Sequence, residues 1–236
     1  MTHPERKRTG LETALANLQA RWGVRIVRKL GKPETVTVPH LETGFATLDR
    51  ALGIGGLPRG HVSELVGAPT SGAGTVALKT LANAHYIGEM TVYLDLSGTF
   101  DADYAVRCGV RLANLLLVRP TSDAEAFDIA YTLVSSGSVG ALIYDAGAEM
   151  YLSVVWRLLL APLANSACAF IYLSESATAE SAAVRLYIER ERWLYRRRDV
   201  RGYRARVTIL ENKFSALRNP VSVLIGFSGA VAGDGV

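Results

Sequence analysis

The chain has 236 residues, of which 49% are hydrophobic and 20% are charged. This composition is typical of a globular protein and excludes a mostly disordered chain, and the length suits one domain with an appendage. The net charge of +4 is small. It permits a polyanionic partner without requiring one, because the position of the charges matters more than their sum.

The two cysteines, Cys108 and Cys168, are 60 positions apart and are flanked by apolar residues. We expect reduced core thiols, with no disulfide and no metal site. The N-terminus lacks the apolar stretch of a signal peptide. The longest uncharged run, residues 158–174, contains a proline and an asparagine and is too short to span a membrane. The sequence therefore predicts a cytoplasmic protein without a membrane partner.

The N-terminal segment predicts one amphipathic helix. Thr9 and Glu12 have capping-box spacing, and four apolar residues then recur at helical intervals up to Gly23. These four residues are Leu11, Leu15, Leu18 and Trp22. The helix either covers its own domain or docks elsewhere. The linker-like residues 31–40, with a short strand predicted at Val36 and Val38, favour docking, and we assign residues 1–40 to this arm.

Strands and helices alternate along the middle of the chain. Apolar runs of about five residues predict the strands, and most of them are followed by a predicted helix. The predicted strands are 62–66, 91–96, 115–118, 141–145 and 168–173, and the predicted helices begin at Gly72, surround Tyr104, and span 123–135 and 151–161. This order predicts an α/β fold with a mostly parallel central sheet and helices on both faces.

The last part of the chain changes character. Residues 182–189 predict a short helix, and residues 190–210 predict a β-hairpin with its turn at 199–202. Apolar and polar residues alternate along the second strand of the hairpin, which predicts one solvated face. A final strand is predicted at 222–227. We assign residues 41–228 to one core domain and residues 229–236 to a disordered tail.

A glycine-rich turn joins the strand at 62–66 to the next helix. Gly67 and Gly72 have the spacing of the framing glycines of a phosphate-binding loop, and Thr75 follows them. The positions of the phosphate-binding lysine and the magnesium-binding hydroxyl hold Ala73 and Gly74, so the loop lacks its main means of neutralising phosphate charge. Two glycines at this spacing are weak evidence on their own and favour a plain strand-to-helix turn.

The segments around this loop resemble bacterial RecA recombinases. ETGFATLDRALGIGGLPRGHVSELVG, at 42–67, resembles the stretch before the RecA phosphate loop, and LETALANLQARWG resembles the RecA N-terminal helix, which packs on a neighbouring subunit. YLDLSGTFDADYAVRCGV, NLLLVRP, SGSVGALIYDAG and ILENKF then follow in the order of the RecA core. The resemblance covers residues 11–227 and implies a RecA-like core.

The resemblance also implies which site residues are kept. Asp145 falls on the Walker B aspartate, and Asp101 and Tyr104 fall on the pair that contacts adenine. Together with Gly67, Gly72 and Thr75 they imply a vestigial nucleotide site. No cofactor is required, and weak binding of an adenine nucleotide is left open.

Other positions depart from the family pattern. Ser97 stands where RecA proteins carry the glutamate that activates water, and a serine is no general base at neutral pH. Leu173 replaces the glutamine that senses the γ-phosphate. Of two interface lysines, Lys213 remains and the other is Glu211. The resemblance therefore implies a pseudo-ATPase with no catalytic residue and no metal.

Positive charge is concentrated between residues 185 and 206. This segment contains nine arginines and three acidic residues, so its net charge is +6 and the rest of the chain has a net charge of −2. Arginines interleaved with Tyr and Trp are typical of a surface that binds a nucleic-acid backbone. The candidate residues are Arg190, Arg192, Arg196, Arg197, Arg198, Arg201, Arg204 and Arg206. A solvated face whose arginine stems cover apolar surface is an equal alternative.

We favour a non-catalytic RecA-like accessory protein in DNA repair or recombination. It would be similar to the ImuA group, of the SOS or translesion type, and would bind DNA, a RecA-like protein or a polymerase. The protein contacts, or self-association, would use Leu11, Leu15, Leu18, Trp22 and Lys213. One alternative is a divergent DNA-dependent ATPase or recombinase, suggested by Asp101, Tyr104 and Asp145. The other is a regulator similar to the SulA cell-division inhibitors.

Overall fold

The structure, a computed structural model, describes residues 38–146, 156–177 and 181–227 together with the helical Ala14. Contacts divide the chain into two units, Met1–Thr37 and Val38–Val236. The fold presented here belongs to the second unit. The predicted apolar residues of the N-terminal helix, the predicted strand residue Val36 and the predicted tail lie outside the described residues.

Eight strands form the central sheet of the described residues. Two short strands, β1 (His40–Leu41) and β2 (Leu57–Pro58), form a separate antiparallel pair. The large sheet contains β3 (Val62–Val66), β4 (Thr91–Asp95), β5 (Leu115–Val118), β6 (Ala141–Asp145), β7 (Ala169–Ser174), β8 (Val184–Arg196), β9 (Asp199–Asn212) and β10 (Val221–Gly226). Their order is β10-β9-β8-β3-β7-β6-β4-β5, and the strands from β8 to β5 are parallel, whereas β9 and β10 are antiparallel.

Helices cover both faces of the parallel strands. They are α1 (Ala46–Leu52), α2 (Ala73–Tyr86), α3 (Ala102–Arg107), α4 (Asp123–Ser135) and α5 (Trp156–Ala164), with a 3₁₀ turn at Leu112–Asn114. In β6, Ile143 packs in the core beneath α1, α2 and α3, while Leu142 and Tyr144 pack in the core beneath α4 and α5. This alternation of buried side chains to both faces confirms the predicted α/β fold with a mostly parallel sheet.

Side-chain caps explain why two helices begin where they do. Asp101 Oδ1 accepts the backbone N–H of Tyr104 at 2.9 Å at the start of α3. Ser122 Oγ accepts the N–H of Glu125 at 3.3 Å at the start of α4. Such caps satisfy backbone donors that the first helical turn leaves without a partner. They confirm the predicted position of α4 and the helix predicted around Tyr104.

The prediction of a helix at residues 182–189 is wrong, because this segment opens β8. Val184, Leu186 and Ile188 are buried and alternate with more exposed residues, which is the period of a strand. The segment pairs with β3 on one side and β9 on the other, and this pairing outweighs its helical propensity. The hairpin also turns earlier than predicted, at Arg197 and Arg198, because Arg196 already pairs with Asp199.

The short strand predicted near Val38 is instead at His40–Leu41, where pairing with β2 is available. Within the described residues, no helix has the length and apolar character needed to cross a membrane.

Candidate functional site

The predicted phosphate loop lies between the carboxyl end of β3 and the start of α2. Gly72 has a φ of +113°, and a Cβ there would lie 2.7 Å from Cδ1 of Ile225. A Cβ on Gly67 would lie 2.5 Å from the carbonyl oxygen of Ile188. Both positions therefore require glycine, because side chains and backbone from β8 and β10 approach the loop closely.

Polar groups of the protein occupy part of the loop's hydrogen-bonding capacity. Ser71 Oγ accepts the N–H of Ala73 at 3.3 Å. Thr75 Oγ1 and the hydroxyl of Tyr104 are 2.7 Å apart. Burial raises the pKa of Tyr104 to about 12, so this hydroxyl keeps its proton at neutral pH. Tyr104 thus contacts the first turn of α2 directly.

The carboxylate of Asp145 is surrounded by hydroxyl groups. Its Oδ2 accepts from Tyr93 at 2.8 Å, from Ser97 at 2.8 Å and from Thr99 at 3.4 Å. Burial, followed by the charge of Asp145, raises the pKa of Tyr93 well above its usual range, so Tyr93 remains a donor. The neighbouring Asp95 accepts from Arg119 Nε at 3.1 Å.

These residues offer a magnesium ion fewer ligands than the family pattern does. Asp145 Oδ2 already accepts three hydroxyls, and the hydroxyl expected from the loop is replaced by Gly74. No group of three or more His, Cys, Asp or Glu side chains suited to a metal occurs among the described residues. Mg²⁺ in phosphate sites is held by carboxylate and hydroxyl oxygens together with the phosphates.

A cavity of about 570 Å³ opens beside the loop. Its walls include all six predicted nucleotide-site residues, namely Gly67, Gly72, Thr75, Asp101, Tyr104 and Asp145. Asp101 takes part while also capping α3. The structure therefore brings the whole predicted set together around one cavity.

Strands β8 and β9 and the end of β10 supply a wall that the sequence did not predict. Trp193, Tyr203 and Phe227 form a ring cluster with centroids 5.8 to 6.3 Å apart. The guanidinium of Arg190 lies 4.3 Å from the ring centroid of Trp193, and its Nη1 donates to Thr70 Oγ1 at 3.1 Å. Arg190 therefore connects the hairpin to the phosphate loop.

A β-bulge explains why this wall was missed. Arg190 and Trp193 are three residues apart, which places side chains on opposite faces of a regular strand. The register shifts between Arg190 and Arg192, so Arg190 pairs with Ala205 and Trp193 pairs with Tyr203. Both then lie on the face that carries the cavity. Alternation alone gives no signal for such a bulge.

The other predicted nucleic-acid residues occupy different settings. Arg206 pairs with Glu191 at 2.9 Å and Arg201 pairs with Asp199 at 3.3 Å. Arg192 lies opposite Arg204. The exposed residues Arg196, Arg197 and Arg198 form the hairpin tip, and Arg197 has a φ of +59°. The tip is thus the densest positive group on the hairpin.

Lys213, the predicted interface lysine, pairs inside the chain. Its Nζ lies 3.7 Å from Glu211 Oε1, and Glu211 Oε2 also accepts from Arg185 Nη1 at 3.1 Å. Arg185 in turn binds the buried Glu64 through Nε. Glu211, the residue of reversed charge, therefore belongs to an ion-pair network that joins β3, β8 and β9.

Comparisons with known proteins agree with the fold and with the order of these motifs. The model of the RecA N-terminal domain family matches residues 9–153. RecA of Agrobacterium fabrum (strain C58 / ATCC 33970) is 32% identical over 248 residues, which cover 89% of this chain and 68% of that protein. RecA of Nitratidesulfovibrio vulgaris (strain DSM 19637 / Miyazaki F) is 37% identical over 150 residues, or 64% of this chain and 42% of the relative.

Among solved structures, the crystal structure of the RadB recombinase superposes with a TM-score of 0.64 at 18% identity, covering 80% of this chain and 97% of that one. This similarity concerns the fold alone. The sequence relatives, the family match and the ordered motifs lead to one conclusion: the chain belongs to the RecA family.

Proposed function

We propose that this protein is a RecA-family accessory factor of DNA repair or recombination that binds nucleic acid and does not turn over ATP at the rate of a recombinase. It acts by binding, with DNA at the arginine hairpin and a RecA-like protein or a polymerase as the protein partner. An SOS or translesion setting, similar to that of the ImuA group, is part of this proposal.

The hydroxyl environment of Asp145 is the observation that carries the proposal. Ser97, which occupies the position of the general base in the family pattern, donates to Asp145 Oδ2 at 2.8 Å. A serine is not a general base at neutral pH, and the proton of this hydroxyl is directed at Asp145. General-base catalysis contributes roughly 10²–10⁴ in rate, and the loss of the phosphate-binding lysine removes electrostatic stabilisation in addition.

The hairpin tip supports nucleic-acid binding. Arg196, Arg197 and Arg198 are exposed, and the nearest acid in sequence, Asp199, pairs with Arg201. Arg197 adopts a left-handed φ of +59°, where glycine or asparagine is favoured and other residues are strained. An arginine at this strained position is consistent with a side chain kept for its charge.

The test measures phosphate release and DNA binding by the purified full-length protein, with and without single-stranded DNA. We expect binding to single-stranded DNA that weakens steeply with salt, and no phosphate release above the buffer level. DNA-stimulated hydrolysis at the rate of a recombinase measured in parallel would refute the proposal and favour the divergent ATPase. Absence of DNA binding at low salt would refute the nucleic-acid role.

A double variant tests the importance of Ser97. Ala73→Lys with Gly74→Thr restores the loop cation and hydroxyl, and we expect hydrolysis to remain absent because no general base is added. The triple variant that also carries Ser97→Glu is the matched comparison. If the double variant alone gains recombinase-like turnover, the argument from Ser97 fails.

A further inference from the structure

We propose that Arg190, on strand β8, replaces the missing loop lysine as the cation that binds the phosphates of a nucleotide in the cavity. This deepens the proposed function and rests on it, since it assigns a ligand class to a site that does not catalyse. The ligand class is a nucleoside polyphosphate, held without hydrolysis.

The charges around the cavity single out this residue. Among the described residues that line the cavity, one is basic, Arg190, and three are acidic, Asp101, Asp145 and Glu175. Asp101 caps α3 and Asp145 accepts three hydroxyls, so two of these acids are engaged within the protein. Polyphosphate binding in this cavity therefore depends on Arg190 together with backbone N–H groups.

The position of the guanidinium fits this role. Its bond to Thr70 Oγ1 places it against the middle of the loop whose ends are Gly67 and Gly72. A guanidinium carries five N–H donors, and this bond uses one of them. The guanidinium also lies over the ring of Trp193, with 4.3 Å between Arg190 Cζ and the ring centroid. An arginine fixed in this way suits bidentate binding of phosphate oxygens.

The backbone at the start of α2 completes the arrangement. Ala73 N–H is used by Ser71 Oγ. Gly74 and Thr75 belong to the first turn, where N–H groups have no acceptor within the helix. A Cβ built on Gly74 would meet no atom within 4 Å, so the cradle is open at the position where the family pattern places a hydroxyl. In the proposed site, the cation that binds phosphate therefore comes from strand β8 and not from the start of α2.

The experiment compares two probes: an ATP analogue with a β,γ-imido bridge, and adenosine. Binding is measured by calorimetry and by the fluorescence of Trp193, with Trp193→Phe identifying that signal. We expect the analogue to bind more tightly than adenosine. Arg190→Gln should weaken the analogue about tenfold and leave adenosine unchanged, because a charged hydrogen-bond pair to phosphate is lost. Arg190→Lys should recover part of this loss.

Arg192→Gln is the matched control, because it removes the same charge two residues further along β8. Arg192 lies opposite Arg204 on β9 and does not line the cavity. The affinity of this variant for the analogue should equal that of the wild type. Equal weakening by both variants, equal affinity for analogue and adenosine, or no binding of the analogue at about 1 mM would each overturn the proposal. The analogue cannot be hydrolysed, and no DNA is present. These outcomes are therefore separate from those that would refute the proposed function.

Discussion

The two halves of the sheet use charge in different ways. In the parallel half, β3 to β7, the acidic residues Glu64, Asp95 and Asp145 are buried and each accepts hydrogen bonds from neighbouring side chains. In the antiparallel half, β8 to β10 beyond the first residues of β8, the arginines are largely exposed at the surface and at the tip. Charges of the first kind maintain the fold, because a buried charge without a partner is costly. Among the charges of the second kind, those of Arg196, Arg197 and Arg198 at the exposed tip are available to an anionic ligand.

The largest effect is expected on the free energy of unfolding, for a substitution where the two halves meet. Arg185→Met removes an ion-pair partner of Glu64, whose side chain is fully buried. Breaking a buried ion pair from one side costs roughly 3–5 kcal/mol, and we expect a loss within this range. Urea denaturation followed by circular dichroism measures the change.

The control for this prediction is Arg192→Met, which removes an exposed arginine from the same strand and should lose no stability. If both variants lose equal stability, the contrast between buried and exposed charge along β8 is wrong. The double variant Glu64→Gln with Arg185→Met should recover part of the loss, because the buried negative charge is then absent.

The next effect concerns binding. The variant with Arg196, Arg197 and Arg198 changed to Gln should bind single-stranded DNA about 10²-fold more weakly at ~0.1 M salt, with a salt slope lower by about 2 to 3. Its unfolding midpoint should not change. The matched variant changes Arg50, Arg111 and Arg218, three exposed arginines away from the tip, to Gln. An equal loss of affinity in both variants would show that net charge, not the tip, determines binding.

Asp49 is an acid whose ionisation destabilises the fold. It lies on α1, the helix beside β9 and β10. Burial raises the pKa of Asp49 to about 6. The hydrogen bonds that it accepts from the N–H and the hydroxyl of Thr43 lower the pKa and offset part of this effect. Nearby Glu42 raises it further and His40 lowers it. A carboxyl whose pKa is raised on folding contributes stability below its unfolded pKa of ~4, and this is lost as the pH rises through 6.

We therefore expect Asp49→Asn to gain stability relative to the wild type between pH 4 and pH 8, by ~2 kcal/mol. Urea denaturation at several pH values measures the difference between the two proteins, so titrations common to both cancel. A constant difference over this range would mean that Asp49 titrates as it does in the unfolded chain.

The parallel half was predictable from the sequence because its strands are short apolar runs, most of which are followed by a helix. The glycines of the loop were predictable from their spacing. The cavity wall was not, because it depends on the bulge between Arg190 and Arg192, which alternation does not reveal. The start of β8 was missed for a related reason: its residues favour a helix locally, and pairing with β3 and β9 decides the outcome. The ion pairs of Lys213 and Arg185 depend on strand order, which the sequence does not specify directly.

The smallest effect concerns Arg192 and Arg204, which face each other across β8 and β9. The Nε of Arg204 is buried and has no hydrogen-bond partner among the described residues. Like charges directly opposite each other destabilise a sheet, so Arg192→Gln should raise the free energy of unfolding by ~0.5 kcal/mol at low salt. The gain should vanish near ~1 M salt, where screening removes the repulsion. Urea denaturation of both proteins at the two salt concentrations tests whether the gain is present at low salt and absent at high salt. A loss of stability would mean that Arg192 supports the hairpin through packing of its side chain. A gain would mean that the hairpin tolerates repulsion between two arginines that lie opposite each other.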